Sequence, residues 1–286
     1  MYNLTDIGTV KDILGRHGFH FSKALGQNFI INPSVCPRMA EESGIDETCG
    51  VIEIGAGIGV LTAELAKRAK KVVCVELDTR LLPVLDETLV DFDNIKIING
   101  DILKVDLHKI LEEEFGDMPV IVCANLPYYI TSPVIMRLLE ERLNIESITV
   151  MVQKEAAVRL CADVGSRDSG AVTVAVDFYA DANKLFDVSR GSFMPAPNVD
   201  SAVIRLDIRK DVPIDITDER FFFSMVRSAF SQRRKTASNG ISSGLGMNKQ
   251  TVITAIENAG LPSTVRAESL TMEQLGTLCE ELYKLR

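Results

Sequence analysis

The 286-residue sequence has no C-x-x-C pair, only three histidines, and no apolar run approaching the roughly 20 residues that cross a bilayer. Each absence removes a class of protein. The six cysteines (Cys36, Cys49, Cys74, Cys123, Cys161 and Cys279) read as separate thiols. Cys74 in KVVCVELD and Cys123 in VIVCANLP lie in apolar runs, so buried, reduced side chains are expected. His17 and His20 could share a helix face, but no nearby cysteine or carboxylate completes a metal site, and no metal is expected. The opening stretch MYNLTDIGTVKDILG lacks a basic segment followed by an apolar one. Neither a secretion signal nor a membrane partner is expected, which leaves the cytosol. No internal repeat or low-complexity tract is present.

What is present is an ordinary globular composition, 46% hydrophobic and 25% charged, sufficient for one large domain and a smaller one. The formal charge of −9 speaks at first against a nucleic-acid partner. Its distribution is uneven: residues 1–183 carry 17 Lys and Arg against 28 Asp and Glu, whereas residues 184–286 carry 14 against 12. Basic residues gather at Lys67, Arg68, Lys70 and Lys71, and again at Arg233, Arg234 and Lys235. Each cluster is either a solvated face or a phosphate contact, and charge alone does not choose.

From about residue 50, short apolar runs alternate with amphipathic stretches. VIEIG (51–55), KVVCVEL (71–77), NIKIING (94–100), PVIVCANL (119–126) and SITVMVQ (147–153) predict buried strands, rich in Val and Ile and weak in polar alternation. Helices are predicted near 60–70, 79–90, 133–143 and 154–162, with Leu61, Leu65 and Ala69 on one face of the first. That alternation implies an α/β doubly wound, mostly parallel sheet. After Gly170, AVTVAVDFYA and SAVIRLDIR read as two longer strands forming an antiparallel hairpin at the sheet edge. Beyond a linker at DVPIDIT the pattern turns helical, near 217–231, 249–259 and 271–285. The expected division is residues 1–210, including an N-terminal extension, and a small helical domain over 211–286.

The glycines of EIGAGIG (Gly55, Gly57 and Gly59) follow a strand and open a helix, where they let backbone approach a ligand closely. Many nucleotide binders share such a turn, and the spacing differs from the G-x-G-x-x-G fingerprint. The next strand ends sharpen the reading. Glu76, in VELD, follows Gly55 by 21 residues, where an acid can accept hydrogen bonds from two ribose hydroxyls. Asp101, in NGD, could reach an adenine amine of the same cofactor. In an open α/β sheet these groups converge beyond the carboxyl ends of the strands.

The fourth strand ends in Asn125-Leu126-Pro127-Tyr128. An acceptor pair at such an end suits an aromatic exocyclic amine, as on adenine, which is a poor nucleophile because its lone pair is delocalised into the ring. Acceptors aimed at its two N–H groups, the Asn125 Oδ1 and the Leu126 carbonyl, favour a tetrahedral nitrogen with that lone pair available. Pro127 turns the chain rigidly, and Tyr128 offers a flat face to a base taken out of its stack. No strong base is needed, since the alkylated amine loses its proton to water; no histidine lies near these motifs.

GQNF (26–29), EIGAGIGVLT (53–62), VELD (75–78), NGD (99–101), NLPYYITSP (125–133) and FMPAPNVDSAVIRL (193–206) stand in the order seen in ribosomal RNA adenine N6-dimethyltransferases. With SAFSQRRKT (228–236), nearly the whole chain resembles that family, most closely its housekeeping small-subunit (16S) group. The resemblance implies a Rossmann-like class I methyltransferase domain using S-adenosyl-L-methionine. It implies that Asn28, Ile30, Gly55, Gly57, Glu76, Asp101 and Asn125 hold the cofactor, and that Phe193 faces the target adenine opposite Tyr128. The implied substrate is a pair of adjacent adenines in the 3′-terminal hairpin of 16S rRNA in the immature small subunit. A monomer is expected, with Arg233, Arg234 and Lys235 meeting RNA phosphates. One stretch departs from the family: ASNGISSGLGMNK, with Gly240, Gly244 and Gly246, reads as a looser connection than the usual apolar helix.

Two other readings share these motifs. The 23S rRNA methylases of macrolide resistance carry the same active-site set, although FMPAPNVDS and RRKT are more similar to the housekeeping group. A ribosome-assembly factor that mainly binds, with methylation secondary, is the second. DNA adenine and protein glutamine methylases usually have Asp-Pro-Pro-Tyr or Asn-Pro-Pro-Tyr, from which Leu126 departs.

Overall fold

The computed structural model describes residues 2–22, 25–232 and 235–286. The chain begins with α1 (Ile7–Arg16), β1 (Phe29–Ile30), α2 (Val35–Glu42), β2 (Gly50–Ile54), α3 (Val60–Ala66), β3 (Lys71–Glu76) and α4 (Leu82–Thr88). It continues with β4 (Ile95–Asn99), α5 (Leu107–Phe115), β5 (Val120–Asn125), α6 (Thr131–Glu140), β6 (Ser147–Gln153), α7 (Lys154–Leu160) and α8 (Ala171–Tyr179). The last elements are β7 (Ala180–Val188), β8 (Phe193–Met194), β9 (Ser201–Ile208), α9 (Glu219–Phe230), α10 (Ala237–Leu245), α11 (Lys249–Asn258) and α12 (Met272–Lys284). Two compact units result, Met1–Ala157 with Asn183–Ile208, and Val158–Ala182 with Arg209–Arg286.

A seven-stranded sheet in the order β4-β3-β2-β5-β6-β9-β7 forms the centre of the first unit. Strands β2 to β6 run parallel, and β9 runs antiparallel to β6, from Ser147↔Asp207 to Gln153↔Ser201. The central runs alternate so little because they are covered on both faces: all five residues of β2 are buried, and β6 is buried from Ser147 to Val152, whereas β4, expected to be buried, is the edge strand and only partly so. Helix α3 turns Leu61 and Leu65 inward, with Ala69 just beyond it also buried. From β2 the chain moves outward through β3 to β4, then returns to add β5 on the other side of β2. The crossovers reverse direction between β2 and β5, the place where such sheets open a crevice beyond their carboxyl ends.

The edge differs from expectation in one element. Residues 171–179, predicted as a strand, form helix α8, and the edge strand β7 is the following segment, ADANKLFDV. A continuous apolar run does not distinguish a buried strand from a buried helix by periodicity. Here the helix is settled by packing within the second unit. Phe178 lies 5.2 Å from Phe223 and 5.7 Å from Phe222, Tyr179 stacks on Phe223 at 5.4 Å, and the Tyr179 hydroxyl donates to Glu219 at 2.5 Å. The helix start is satisfied as well: the Gly170 N–H donates to Thr173 Oγ1, which donates to the Arg159 carbonyl. A single division at residue 210 therefore misses that residues 158–182 belong to the second unit.

The expectation of a loose connection after residue 236 is also corrected, because Ala237–Leu245 is helix α10. Gly240 and Gly244, four apart, share one helix face. A Cβ on Gly240 would stand 2.4 Å from the Ser228 carbonyl oxygen, and one on Gly244 would stand 2.2 Å from Ser228 Oγ. The glycines let α10 lie directly on α9.

No helix among the described residues is long and apolar enough to cross a membrane, and no cluster of His, Cys, Asp or Glu among them is arranged to hold a metal ion. The six cysteines are free thiols, and all but Cys161 are buried.

Candidate active site

A cavity of about 270 Å³ opens at the carboxyl ends of β2, β3, β4 and β5, closed on one side by the N-terminal strap Leu25–Ile30. Gly55, Gly57, Glu76, Asp101, Asn125, Leu126, Pro127 and Tyr128 all line it, as do Asn28, Ile30 and Phe193.

After β2 the backbone turns through left-handed Gly55 (φ 76°). A Cβ built on Gly55 meets no protein atom within 4 Å and would occupy space in the cavity that Gly55 lines. Glu76, at the end of β3 and 6% exposed, accepts from the Gly57 N–H at 3.1 Å and from the Asp78 N–H at 2.8 Å. Those two bonds aim the carboxylate and leave each oxygen a further lone pair. Burial pushes its pKa up against the two backbone donors. Asp101 accepts from the Leu103 N–H at 2.9 Å, and Lys104 Nζ stands 3.5 Å from its other oxygen. The loop beyond it is held by Arg137 on α6, which donates to the carbonyls of Ile102 and Val105.

At the end of β5, the Leu126 N–H donates to the Met151 carbonyl at 3.2 Å, and the Pro127 carbonyl accepts from Ile130 in a tight turn. Among the described residues the Asn125 side chain has no hydrogen-bond partner and lines the cavity. The Tyr128 hydroxyl sits 2.8 Å from Ser201 Oγ, and burial pushes the phenol pKa up, which keeps it neutral. Strand β1 pairs antiparallel with β8, Ile30 opposite Phe193, so GQNF and FMPAP, which begin 167 residues apart, meet at one wall.

Several lining residues carried no sequence signal. Ile102, Leu103 and Leu77 are apolar and look like core residues in a one-dimensional pattern; Tyr129, 54% exposed, stands at the mouth. Glu53, which opens EIGAGIG, is 1% exposed, accepts from Cys74 Sγ at 3.1 Å, and burial raises its pKa to about 7. Burial also pushes the Cys74 and Cys123 thiols up, so they remain protonated beneath the cavity.

Of the basic clusters, Lys67 and Arg68 pair with Glu64, at 2.5 and 2.9 Å, and Lys71 pairs with Glu114 at 2.8 Å. Lys71 begins β3, at the end of the sheet away from the cavity. Lys235 is exposed, and Arg233 and Arg234 lie outside the described residues.

The reversed strand order, the glycine turn and the converging strand-end carboxylates define a class I methyltransferase, and solved structures agree. A dimethyladenosine transferase from Plasmodium falciparum superposes with a TM-score of 0.71 at 25% identity, covering 90% of this chain and 98% of that one. The 23S rRNA methyltransferase ErmE gives 0.66 at 29% identity, covering 90% of this chain and 100% of the other. A family model, ribosomal RNA adenine dimethylase, matches residues 18–284, and the chain belongs to that family. It is 45% identical to the ribosomal RNA small subunit methyltransferase A of Bacillus licheniformis, over 98% of both chains. To the protein of that name from Geobacillus thermodenitrificans it is 47% identical, over 97% of this chain and 96% of the relative.

Proposed function

We propose that this chain transfers methyl groups from S-adenosyl-L-methionine to the N6 amines of two adjacent adenines in the 3′-terminal hairpin of 16S rRNA. The product is N6,N6-dimethyladenosine, made in the cytoplasm by a monomer acting on the immature small subunit. The observation that carries this reading is the convergence of Gly55, Glu76, Asp101 and Asn125 on one cavity. Relatives named for the small subunit, 45% and 47% identical over nearly the full length, favour 16S over 23S rRNA.

When bound, the cofactor supplies an electrophilic methyl group on sulfur. The chain provides the rest. Glu76 accepts from the ribose hydroxyls through its free lone pairs, Asp101 accepts from the cofactor's adenine amine, and the Gly55–Gly57 turn lets main chain approach without a side chain between. Asn28 and Ile30 complete the wall from the strap. For the target base, Asn125 Oδ1 and the Leu126 carbonyl accept from the two N–H groups of the amine, while Tyr128 and Phe193 offer flat apolar surfaces to the flipped ring. Rate comes from positioning and from fixed dipoles at the strand ends. Lys235, with Arg233 and Arg234, meets RNA phosphates.

The test is incubation with labelled cofactor and unmethylated small subunits, followed by nucleoside analysis of the rRNA. Label in N6,N6-dimethyladenosine of 16S rRNA is expected; label confined to 23S rRNA would refute the assignment.

A further inference from the structure

Two residues of the shared motifs have no part in the scheme above: Gln27 of GQNF and Asp78 of VELD. They lie 51 positions apart, yet Gln27 Nε2 donates to Asp78 Oδ2 at 2.7 Å. The same Asp78 carboxylate, 6% exposed, accepts from Arg80 Nε at 2.8 Å and from Arg80 Nη2 at 2.6 Å. The Asp78 backbone N–H donates to Glu76 Oε1. On the other side, Gln27 Oε1 accepts from the Ser22 N–H at 2.8 Å, and Arg80 Nη1 reaches the His20 carbonyl at 3.3 Å. One carboxylate thus ties the segment ahead of β1 to the turn that holds Glu76.

We infer that Gln27 and Asp78 form a clasp that sets the strap Leu25–Ile30 and the Glu76 carboxylate in one arrangement, so that both walls of the cofactor cavity are in place before the cofactor arrives. The clasp rests on the cofactor reading above. Its physical basis is preorganisation: a strap of few residues, paired to β8 over only two positions, otherwise loses its freedom at the moment of binding and weakens affinity. The Arg80 guanidinium holds the Asp78 carboxyl below its ordinary pKa, so it stays ionised and the bond from Gln27 is charge-assisted. Gln27 and Asp78 are positioning residues; they act on the cofactor through Asn28, Ile30 and Glu76.

The experiment is calorimetric binding of S-adenosylhomocysteine to the full chain, with steady-state kinetics alongside. Gln27→Glu sets a second carboxylate against Asp78 and should raise Kd by about tenfold or more, the effect of losing a charge-assisted hydrogen bond. The KM for the methyl donor should rise by a larger factor than kcat falls. Gln27→Ala, which removes the bond without repulsion, should be milder. Adding Asp78→Asn to Gln27→Glu removes the repulsion and lets the residue 78 amide donate to the residue 27 carboxylate, at the loss of the Arg80 Nη2 bond to Asp78 Oδ2, and should bring Kd at least about threefold below that of the single variant. A Kd changed less than twofold in Gln27→Glu, or a double variant no better than the single one, overturns the clasp. A residue that served folding alone would lower the melting temperature without this reversal. Wild type that bound no S-adenosylhomocysteine would instead sink the cofactor reading, and the clasp with it.

Discussion

Replacing Glu53 by Gln should make the protein more stable at pH 8 and leave it nearly unchanged at pH 4.5. Glu53 is buried at 1% exposure in the middle of a parallel sheet, and that burial raises its pKa from an ordinary 4.5 to about 7. A raised value means that the folded state holds the proton more tightly than the unfolded chain does. The associated stability is complete below pH 4.5 and is lost progressively as pH rises through 7. Each pKa unit corresponds to about 1.4 kcal/mol, so the loss amounts to about 3 kcal/mol by pH 8. Gln is neutral at every pH, accepts the Cys74 Sγ–H bond in the same way, and has an N–H where the carboxylic acid has its O–H. The assay is urea unfolding of wild type and Glu53→Gln at half-unit steps from pH 4.5 to 8.5, read as the difference between the two proteins so that other titrating groups cancel. The difference should be near zero at the acid end, climb by about 1.4 kcal/mol per pH unit, and level off above pH 7.5. A flat difference, or a variant that loses ground as pH rises, would refute the claim that Glu53 is held protonated by burial.

Gly240→Ala should cost about 1–3 kcal/mol, because the new methyl meets the Ser228 carbonyl and the two helices must part; a variant melting like wild type would show that α10 does not lie that close. Asn125→Ala should abolish methyl transfer while leaving affinity for immature small subunits nearly intact, measured by sedimentation with the particle. Loss of both together would refute the separation of methyl transfer from subunit binding. Affinity for subunits should fall as salt rises, and Lys235→Ala should lower the slope of log affinity against log salt by about 1. A salt-independent affinity would remove the proposed phosphate contacts.

The five parallel strands were legible because each is a short Val- and Ile-rich run closed by glycine or a polar residue, too short for a helix of ordinary length; β2, β3, β5 and β6 are buried almost throughout, whereas β4 at the sheet edge is only partly buried. The cavity residues at strand ends were legible for a related reason: Gly55, Glu76, Asp101 and Asn125 are the polar or glycine punctuation after apolar runs, and a parallel sheet puts all such ends on one side. Residues 171–179 were misread because Ala, Val and Phe in an unbroken run satisfy either geometry, and the Phe178–Phe222–Phe223 cluster that decides between them comes from residues more than forty positions away. Residues 237–245 were misread for the opposite reason. Two glycines among serines suggest a loop, and only the contact with Ser228 shows them as a surface cut away for another helix.

From the residues alone came the layering of the first unit, the place where a nucleotide-like cofactor would lie, and the amide and carbonyl suited to an aromatic amine. These are local properties: the period of apolar residues, the conformational freedom of glycine, and the chemistry of a side chain at the end of a strand. Tertiary structure alone decided that GQNF meets FMPAP across β1 and β8, that Gln27 reaches Asp78, and that α8 belongs to the second unit. Those depend on which distant surfaces come within hydrogen-bond or van der Waals range, and short-range patterns along the chain hold no measure of that distance.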